Sequence, residues 1–354
     1  MLLITAMICF LASIALTPLV KKLAIYIGAV DKPNHRKVHQ KIMPRLGGLA
    51  IYISMLIGFA IAKPVDDDIA MWPIILGATI IVITGIFDDR FEISPKVKLF
   101  GQILAAGVVI YAGVQVSSIN LPFDVSINLG YFSIPFTLLW IVGITNAINL
   151  IDGLDGLAAG VSSIVLITIS AMAMFMGDAF AATLGLILLG STLGFLIYNF
   201  HPAKIFMGDT GALLLGFMIS VISILGFKSI AVYSLILPII ILGVPISDTL
   251  FAIIRRIVNK KPLSAPDKSH LHHCLLRLGF SHRKTVLIIY AMSAFFGIAA
   301  VMLSHSTLWV ATLIIAVVLL TVQLVAERVG LVSENYKPML NFFRKIVANG
   351  KRSA

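Results

Sequence analysis

The residues able to do chemistry fall into a few tight groups. Phe87-Asp88-Asp89-Arg90 sets two carboxylates side by side directly after an apolar run. Adjacent carboxylates repel, so one of them takes a raised pKa or shares a cation; alone, such a pair also fits a solvated helix end. The stretch Asn146-Ala-Ile-Asn149-Leu-Ile-Asp152-Gly-Leu-Asp155-Gly carries a stronger signal. Two amides and two carboxylates recur every third residue, which on a helical turn places them along one face. Polar groups there in a largely apolar span are expensive and mark a functional site by default. A polar helix–helix contact is the plainer alternative. Gly153 and Gly156 would let main-chain amides approach a phosphate closely.

Three further groups share this character. In Asn199-Phe-His-Pro-Ala-Lys204-Ile-Phe-Met-Gly-Asp209-Thr-Gly211, Asp209 precedes an apolar run and suits an N-cap or a metal ligand. Lys204 offers a phosphate-binding charge, and the helix start adds free N–H groups and a positive dipole end. Asp267-Lys268-Ser269-His270-Leu271-His272-His273 brings three imidazoles together in a long loop. Imidazoles contacting phosphate suit the surroundings, while Cys274 next to them keeps a zinc reading open. Arg36-Lys37-Val38-His39, followed by Pro44-Arg45-Leu46-Gly47-Gly48, is basic, as are Arg255, Arg256, Lys96 and Lys98. Each serves as a membrane anchor or a phosphate contact. Taken together, the groups describe Mg²⁺-assisted chemistry between phosphorylated molecules: magnesium takes carboxylate oxygens and completes its shell with waters and substrate phosphates.

The elements that position these groups are apolar. The 354 residues are 59% hydrophobic and 12% charged, with a mean hydropathy of +1.03, where soluble chains carry about 25% charged residues. Lipid must therefore be the solvent for most of the chain. Apolar runs at 2–20, 46–63, 71–87, 98–115, 135–151, 157–177, 180–199, 210–227, 230–254, 286–304 and 307–326 each approach the ~20 residues that span ~30 Å of hydrocarbon. The expected fold is an all-α polytopic membrane protein of about eleven transmembrane helices. The first run lacks a leading positive charge and a cleavage site, so it reads as a retained helix. Every lysine and arginine except Lys63 and Lys228 lies in 21–45, 88–98, 200–209, 255–285 or 327–354. The positive-inside rule then puts the N-terminus outside and the C-terminus in the cytoplasm, with all the chemical groups on the inner side. Period-two alternation from Ile119 to Leu129 predicts a short outer β-hairpin.

The chain thus reads as one transmembrane domain, 1–354, whose inner loops 21–45, 88–98, 200–209 and 255–285 carry the active site. Its basic tail, 327–354, faces the anionic bilayer surface. The net charge of +11 belongs to one membrane face; no basic domain or binding motif supports nucleic acid as a partner. An ion-coupled transporter is the rival class, but its polar residues would gather at the bilayer midplane.

The order Asp-Asp, Asn-x-x-Asn-Leu-x-Asp-Gly-x-Asp-Gly, Phe-Met-Gly-Asp-x-Gly and His-x-His-His resembles the polyprenyl-phosphate N-acetylhexosamine-1-phosphate transferases over nearly the whole chain. Arg36-Lys37-Val38-His39 and His270-Leu271-His272-His273 look like the branch using UDP-N-acetylglucosamine, and most like the one that primes wall teichoic acid. The branch using UDP-MurNAc-pentapeptide, which typically carries three consecutive histidines, is the alternative. The resemblance implies transfer of N-acetylglucosamine 1-phosphate to undecaprenyl phosphate with release of UMP. It also implies Mg²⁺, with Mn²⁺ as a substitute, the lipid bilayer as the setting, and a homodimer as a possible assembly. Asp209 matches the metal ligand, with Asp152 beside it. Asp88 matches the acid acting on the lipid phosphate, and Asp89 accompanies it. Asn146, Asn149, Asp152 and Asp155 match the motif contacting nucleotide or metal. His270, His272 and His273, with Arg255 or Arg256, match the sugar-nucleotide loop. Lys37, His39, Lys96 and Lys204 remain as phosphate contacts. The family often has an acid or lysine shortly after the Asp-Asp pair; Glu92 and Lys96 occupy that stretch here.

Overall fold

The computed structural model describes residues 2–31, 42–66, 69–121, 125–227, 235–262, 267, 269–331 and 337–341. Eight helices among these are long and apolar enough to cross a membrane: α1 (Leu2–Ile27), α3 (Met71–Phe91), α5 (Ser133–Ile151, one 3₁₀ turn longer at its start), α6 (Leu157–Phe175), α7 (Ala179–Asn199), α8 (Gly208–Phe227), α12 (His282–Ser304) and α13 (Leu308–Val329). Two shorter ones, α2 (Gly47–Ala62) and α4 (Pro95–Tyr111), fall on expected spans. At 1.5 Å per residue they reach only about 24–26 Å. The architecture is that of a polytopic helical membrane protein. A two-stranded ladder pairs β3 (Ser118–Leu121) with β4 (Val125–Asn128) antiparallel.

The expected ninth span, 230–254, is not one continuous helix. Residues 228–234 lie outside the described set. The remainder divides into α9 (Ile236–Ile241) and α10 (Gly243–Val258). Pro245 has no N–H to give to the preceding turn, which favours a break there. Gly243 lies so close to the Phe296 ring that a Cβ would meet it at 2.8 Å. The half after the break carries Asp248, Arg255 and Arg256, and buries the first two. Its polar residues separate it from the lipid-facing helices.

At the centre stands α8, apolar on every side and buried throughout the span, as expected of a helix without a polar face. It packs against α2, α3, α5, α6 and α7. Small residues set the closest approaches: a Cβ on Gly48 would meet the Gly211 backbone at 2.0 Å, and one on Gly85 would meet Thr210 Cα at 2.4 Å. Within a bilayer such close packing replaces the hydrophobic drive between helices. It also draws the ends of α2 and α3 onto the first turn of α8, where the acidic motifs meet. By contrast, α13 is mostly exposed on the outside of the bundle.

Candidate active site

The first turn of α8 is fastened by a carboxylate from another helix. Asp89, near the end of α3, accepts the N–H of Asp209 at 2.9 Å, the N–H of Thr210 at 3.0 Å and the Thr210 hydroxyl at 2.6 Å. Helix starts leave such N–H groups without partners, and a negative group there also meets the positive end of the dipole. Gly208 makes the approach feasible: its φ is +71°, and a Cβ would lie 2.4 Å from Asp89 Oδ2. Asp89, expected as a catalytic acid, is thus buried with both oxygens engaged.

Its neighbour Asp88 meets the Asp209 side chain instead of the α8 backbone. Lys98 Nζ lies 3.2 Å from Asp88 Oδ2 and 2.8 Å from Asp209 Oδ2, joining the two carboxylates. Arg45 approaches Asp89 at 3.6 Å and both Asp209 and Asp31 at 3.8 Å. A short backbone ladder fixes Arg45. β1 (Val30–Asp31) pairs with β2 (Met43–Pro44), Phe206 N–H donates to Pro44 O, and Gly47 and Gly48 donate to Phe206 and Met207. Burial works against the Arg45 charge, but Asp89 and then Asp209 outweigh it and raise its pKa.

Lys98, Asp209 and Arg45 line a cavity of about 500 Å³, together with Asn149, Asp152 and Asp155. Burial, and then repulsion from Asp209, pushes the Asp152 carboxyl up to about 7. Four carboxylates, those of Asp88, Asp89, Asp152 and Asp209, therefore share the immediate surroundings of two cations. The surplus of hard oxygen donors fits a divalent cation of the magnesium class.

The other expected site residues divide. Asn149, Asp152, Asp155, Asp209 and His273 line the cavity. Asn146 does not; it exchanges hydrogen bonds with Gln102 of α4, donating at 2.6 Å and accepting at 3.3 Å, which is the plainer helix–helix contact. Asp155 accepts from Ala203 N–H at 3.1 Å and lies 2.8 Å from His201 Nδ1. Lys96 and Lys204 are exposed and off the lining, with Lys204 resting over the Tyr198 ring. Arg255 is buried, binding Asp267 and the Leu331 carbonyl; Arg256 is half-buried beside it in α10. His270 Nδ1 lies 2.9 Å from Asp248, which also accepts the Leu271 N–H at 2.8 Å at the start of α11 (Leu271–Arg277). His272 is buried under Gly153, where a Cβ would meet its Nε2 at 2.3 Å. Burial, reinforced by His273, lowers its pKa to about 3. Lys37 and His39 lie outside the described residues. The Gly156 amide, expected near a phosphate, donates instead to Asn199 Oδ1 at 3.1 Å.

Sequence reasoning passed over Lys98 as a specific bridge, and over Arg45, His201, His282, Asp248 and Gln102 as partners. A signal for Lys98 was present. α3 ends at Phe91 and α4 starts at Pro95, so a hairpin folded about residue 93 sets position 88 opposite 98, not 96. His201 and His282 lie too far apart in the chain for any spacing rule to join them.

Residues 71–227 match the family described as glycosyl transferase family 4. The chain is 51% identical to the probable undecaprenyl-phosphate N-acetylglucosaminyl 1-phosphate transferase of Bacillus subtilis, over 95% of this chain and 94% of that protein. It is 38% identical to the decaprenyl-phosphate N-acetylglucosaminephosphotransferase of Mycolicibacterium smegmatis, over 77% and 74%. With the undecaprenyl-phosphate alpha-N-acetylglucosaminyl 1-phosphate transferase of Escherichia coli K12 it shares 30% identity over 81% and 79%.

Proposed function

The chain belongs to glycosyl transferase family 4, among the polyprenyl-phosphate N-acetylhexosamine-1-phosphate transferases, and from that footing we propose its reaction, site and setting. It transfers N-acetylglucosamine 1-phosphate from UDP-N-acetylglucosamine to undecaprenyl phosphate at the cytoplasmic membrane face. The products are undecaprenyl-diphosphate-N-acetylglucosamine and UMP, and the step primes a cell-surface polymer, wall teichoic acid. The supporting observation is the Asp88–Lys98–Asp209 bridge at the edge of a 500 Å³ cavity.

An oxygen of the lipid phosphate forms a bond to the β-phosphorus of the nucleotide sugar. The bond from that phosphorus to the bridging oxygen breaks, and UMP leaves with the electron pair. A phosphate nucleophile is already ionised near neutral pH, so positioning and charge neutralisation supply most of what this step needs. Lys98 and Arg45 hold negative oxygens in the cavity, and Asp88 orients the Lys98 ammonium toward the incoming phosphate. Asp209, with Asp152 and Asp88, would hold Mg²⁺, which when bound neutralises charge on the leaving phosphate. Asp89 keeps Asp209 and Thr210 in place, and His273 closes part of the cavity wall.

Purified protein given UDP-N-acetylglucosamine, undecaprenyl phosphate and Mg²⁺ should release UMP and a lipid product of the matching mass. UMP release without a lipid-linked sugar phosphate would remove the transfer reaction. Equal turnover with UDP-MurNAc-pentapeptide would remove the sugar assignment.

A further inference from the structure

Apart from the carboxylates around Asp209, a group of three potential metal-ligating side chains converges among the described residues, and it is not the histidine-rich stretch 270–273. Asp155, His201 and His282 each present a ligand atom, all within 4.8 Å of one another. They come from three separate places: the turn after α5, the turn after α7 and the first residue of α12. All three line the 500 Å³ cavity. Cys274, the sequence-level reason to consider zinc at 270–273, instead contacts Ser269 O and Arg277.

The details favour a ligand set over an incidental contact. Asp155 Oδ2 lies 2.8 Å from His201 Nδ1, and the two imidazole rings stack with centroids 4.1 Å apart. The His282 Nε2 atom is buried and has no hydrogen-bond partner among the described residues. A buried polar atom without a partner costs about 1–3 kcal/mol, and an ion removes that cost. His282 also hydrogen-bonds the main chain of Asp155, the kind of outer contact that fixes the ring of a metal-binding histidine. Ligand atoms around a tetrahedral zinc ion lie ~3.3 Å apart, so small side-chain rotations close the set.

We propose that Asp155, His201 and His282 form a second metal site, for a zinc-class transition ion, distinct from the carboxylate site at Asp209. Two imidazoles and one carboxylate suit zinc and its transition-metal neighbours, whereas magnesium takes oxygen ligands. Three protein ligands leave a coordination position open, as in zinc sites that take up an exogenous oxygen. Here that position opens onto the cavity.

The test uses the full-length protein in detergent with Mg²⁺ in excess and Co²⁺ alone as the probe. The expected result is one Co²⁺ per chain with the visible absorption of a low-coordinate, histidine-ligated ion. His282→Gln and His201→Gln should each abolish that absorption, and Asp209→Asn should keep it. Should the histidine variants fail to fold, electron paramagnetic resonance of Cu²⁺ on the unmodified protein decides instead: coupling to two imidazole nitrogens supports the site. A purely oxygen-ligated spectrum, or absorption unchanged in both folded histidine variants, overturns it. Every readout is metal binding, so the outcome is separate from that of the transfer reaction.

Discussion

Two buried aspartates do the same job at two helix starts, in different company. Asp89 reaches from α3 to receive the first N–H groups of α8, and Asp248 reaches from α10 to receive the first N–H of α11. At α8 the capped residue is Asp209, whose own side chain turns to Lys98 and the cavity. At α11 the second oxygen of the cap instead holds His270, which does not line the cavity. The same device thus builds chemistry directly beside the fastening in one region, and one or two residues removed from it in the other. Within each motif, residue type does not tell the fastener from the reagent; only the partner does.

Substitutions in the α3–α8 junction should split that pair of roles most widely. Asp209→Asn keeps the backbone N–H that Asp89 receives, so the protein should melt normally while UMP release falls about 1,000-fold or more, the several kcal/mol a cation site contributes. Near-normal turnover would remove Asp209 from the metal role. Asp89→Ala should do the reverse to the fold. It leaves the α8 N–H groups and Arg45 without their buried partner, a loss of about 3–5 kcal/mol, visible as a large drop in melting temperature. An Asp89→Ala protein that melts normally would refute the fastening.

Lys98→Met sharpens the comparison from the side of the cations. The ammonium that joins Asp88 and Asp209 would no longer compete for their oxygens. The apparent affinity for Mn²⁺ should therefore rise, while turnover falls about 100–1,000-fold through the lost donor to phosphate. Titration of Mn²⁺ binding by its electron paramagnetic resonance signal measures the first effect. Weaker Mn²⁺ binding would mean that Lys98 supports the cation site instead of sharing it.

The helical, membrane-embedded architecture was legible because apolar run length and the grouping of charge are local properties. So was the gathering of acids, since Asp88, Asp152 and Asp209 each sit at a run boundary. What was not legible depends on partners that sequence does not place. Asn146 and Asn149 look alike in the motif, yet Gln102 claims the first and the cavity takes the second. Asp88 and Asp89 are neighbours, but successive positions on a helix point about 100° apart, so one meets the side chains of Lys98 and Asp209 while the other meets the α8 backbone. The interrupted span at Leu242 was marked by Pro245 and Gly243, although hydropathy alone ran straight through them.

At α11 the effects should be smaller. Asp248→Asn keeps the shape but weakens both the cap and the His270 contact, costing about 1–2 kcal/mol in thermal stability. If the α11 segment positions substrate, KM for the sugar nucleotide should rise more than kcat falls.

Proton linkage gives a further test, and its sign separates the two regions. His272, beside the α11 cap, has a pKa of about 3 in the folded protein against about 6.5 unfolded. Between these values the folded state binds fewer protons, so His272 makes stability rise with pH, and its contribution is lost as pH falls below about 6.5. Asp152, on the cavity side, is raised to about 7. Between about 4 and 7 the folded state binds more protons there, so Asp152 makes stability fall as pH rises. Each slope approaches about 1.4 kcal/mol per pH unit, and between pH 4 and 6.5 the two oppose each other. His272→Gln should remove one and leave the other, tilting the melting-temperature profile downward with rising pH over that window. A profile parallel to that of the unmodified protein would show that His272 is not held neutral under Gly153.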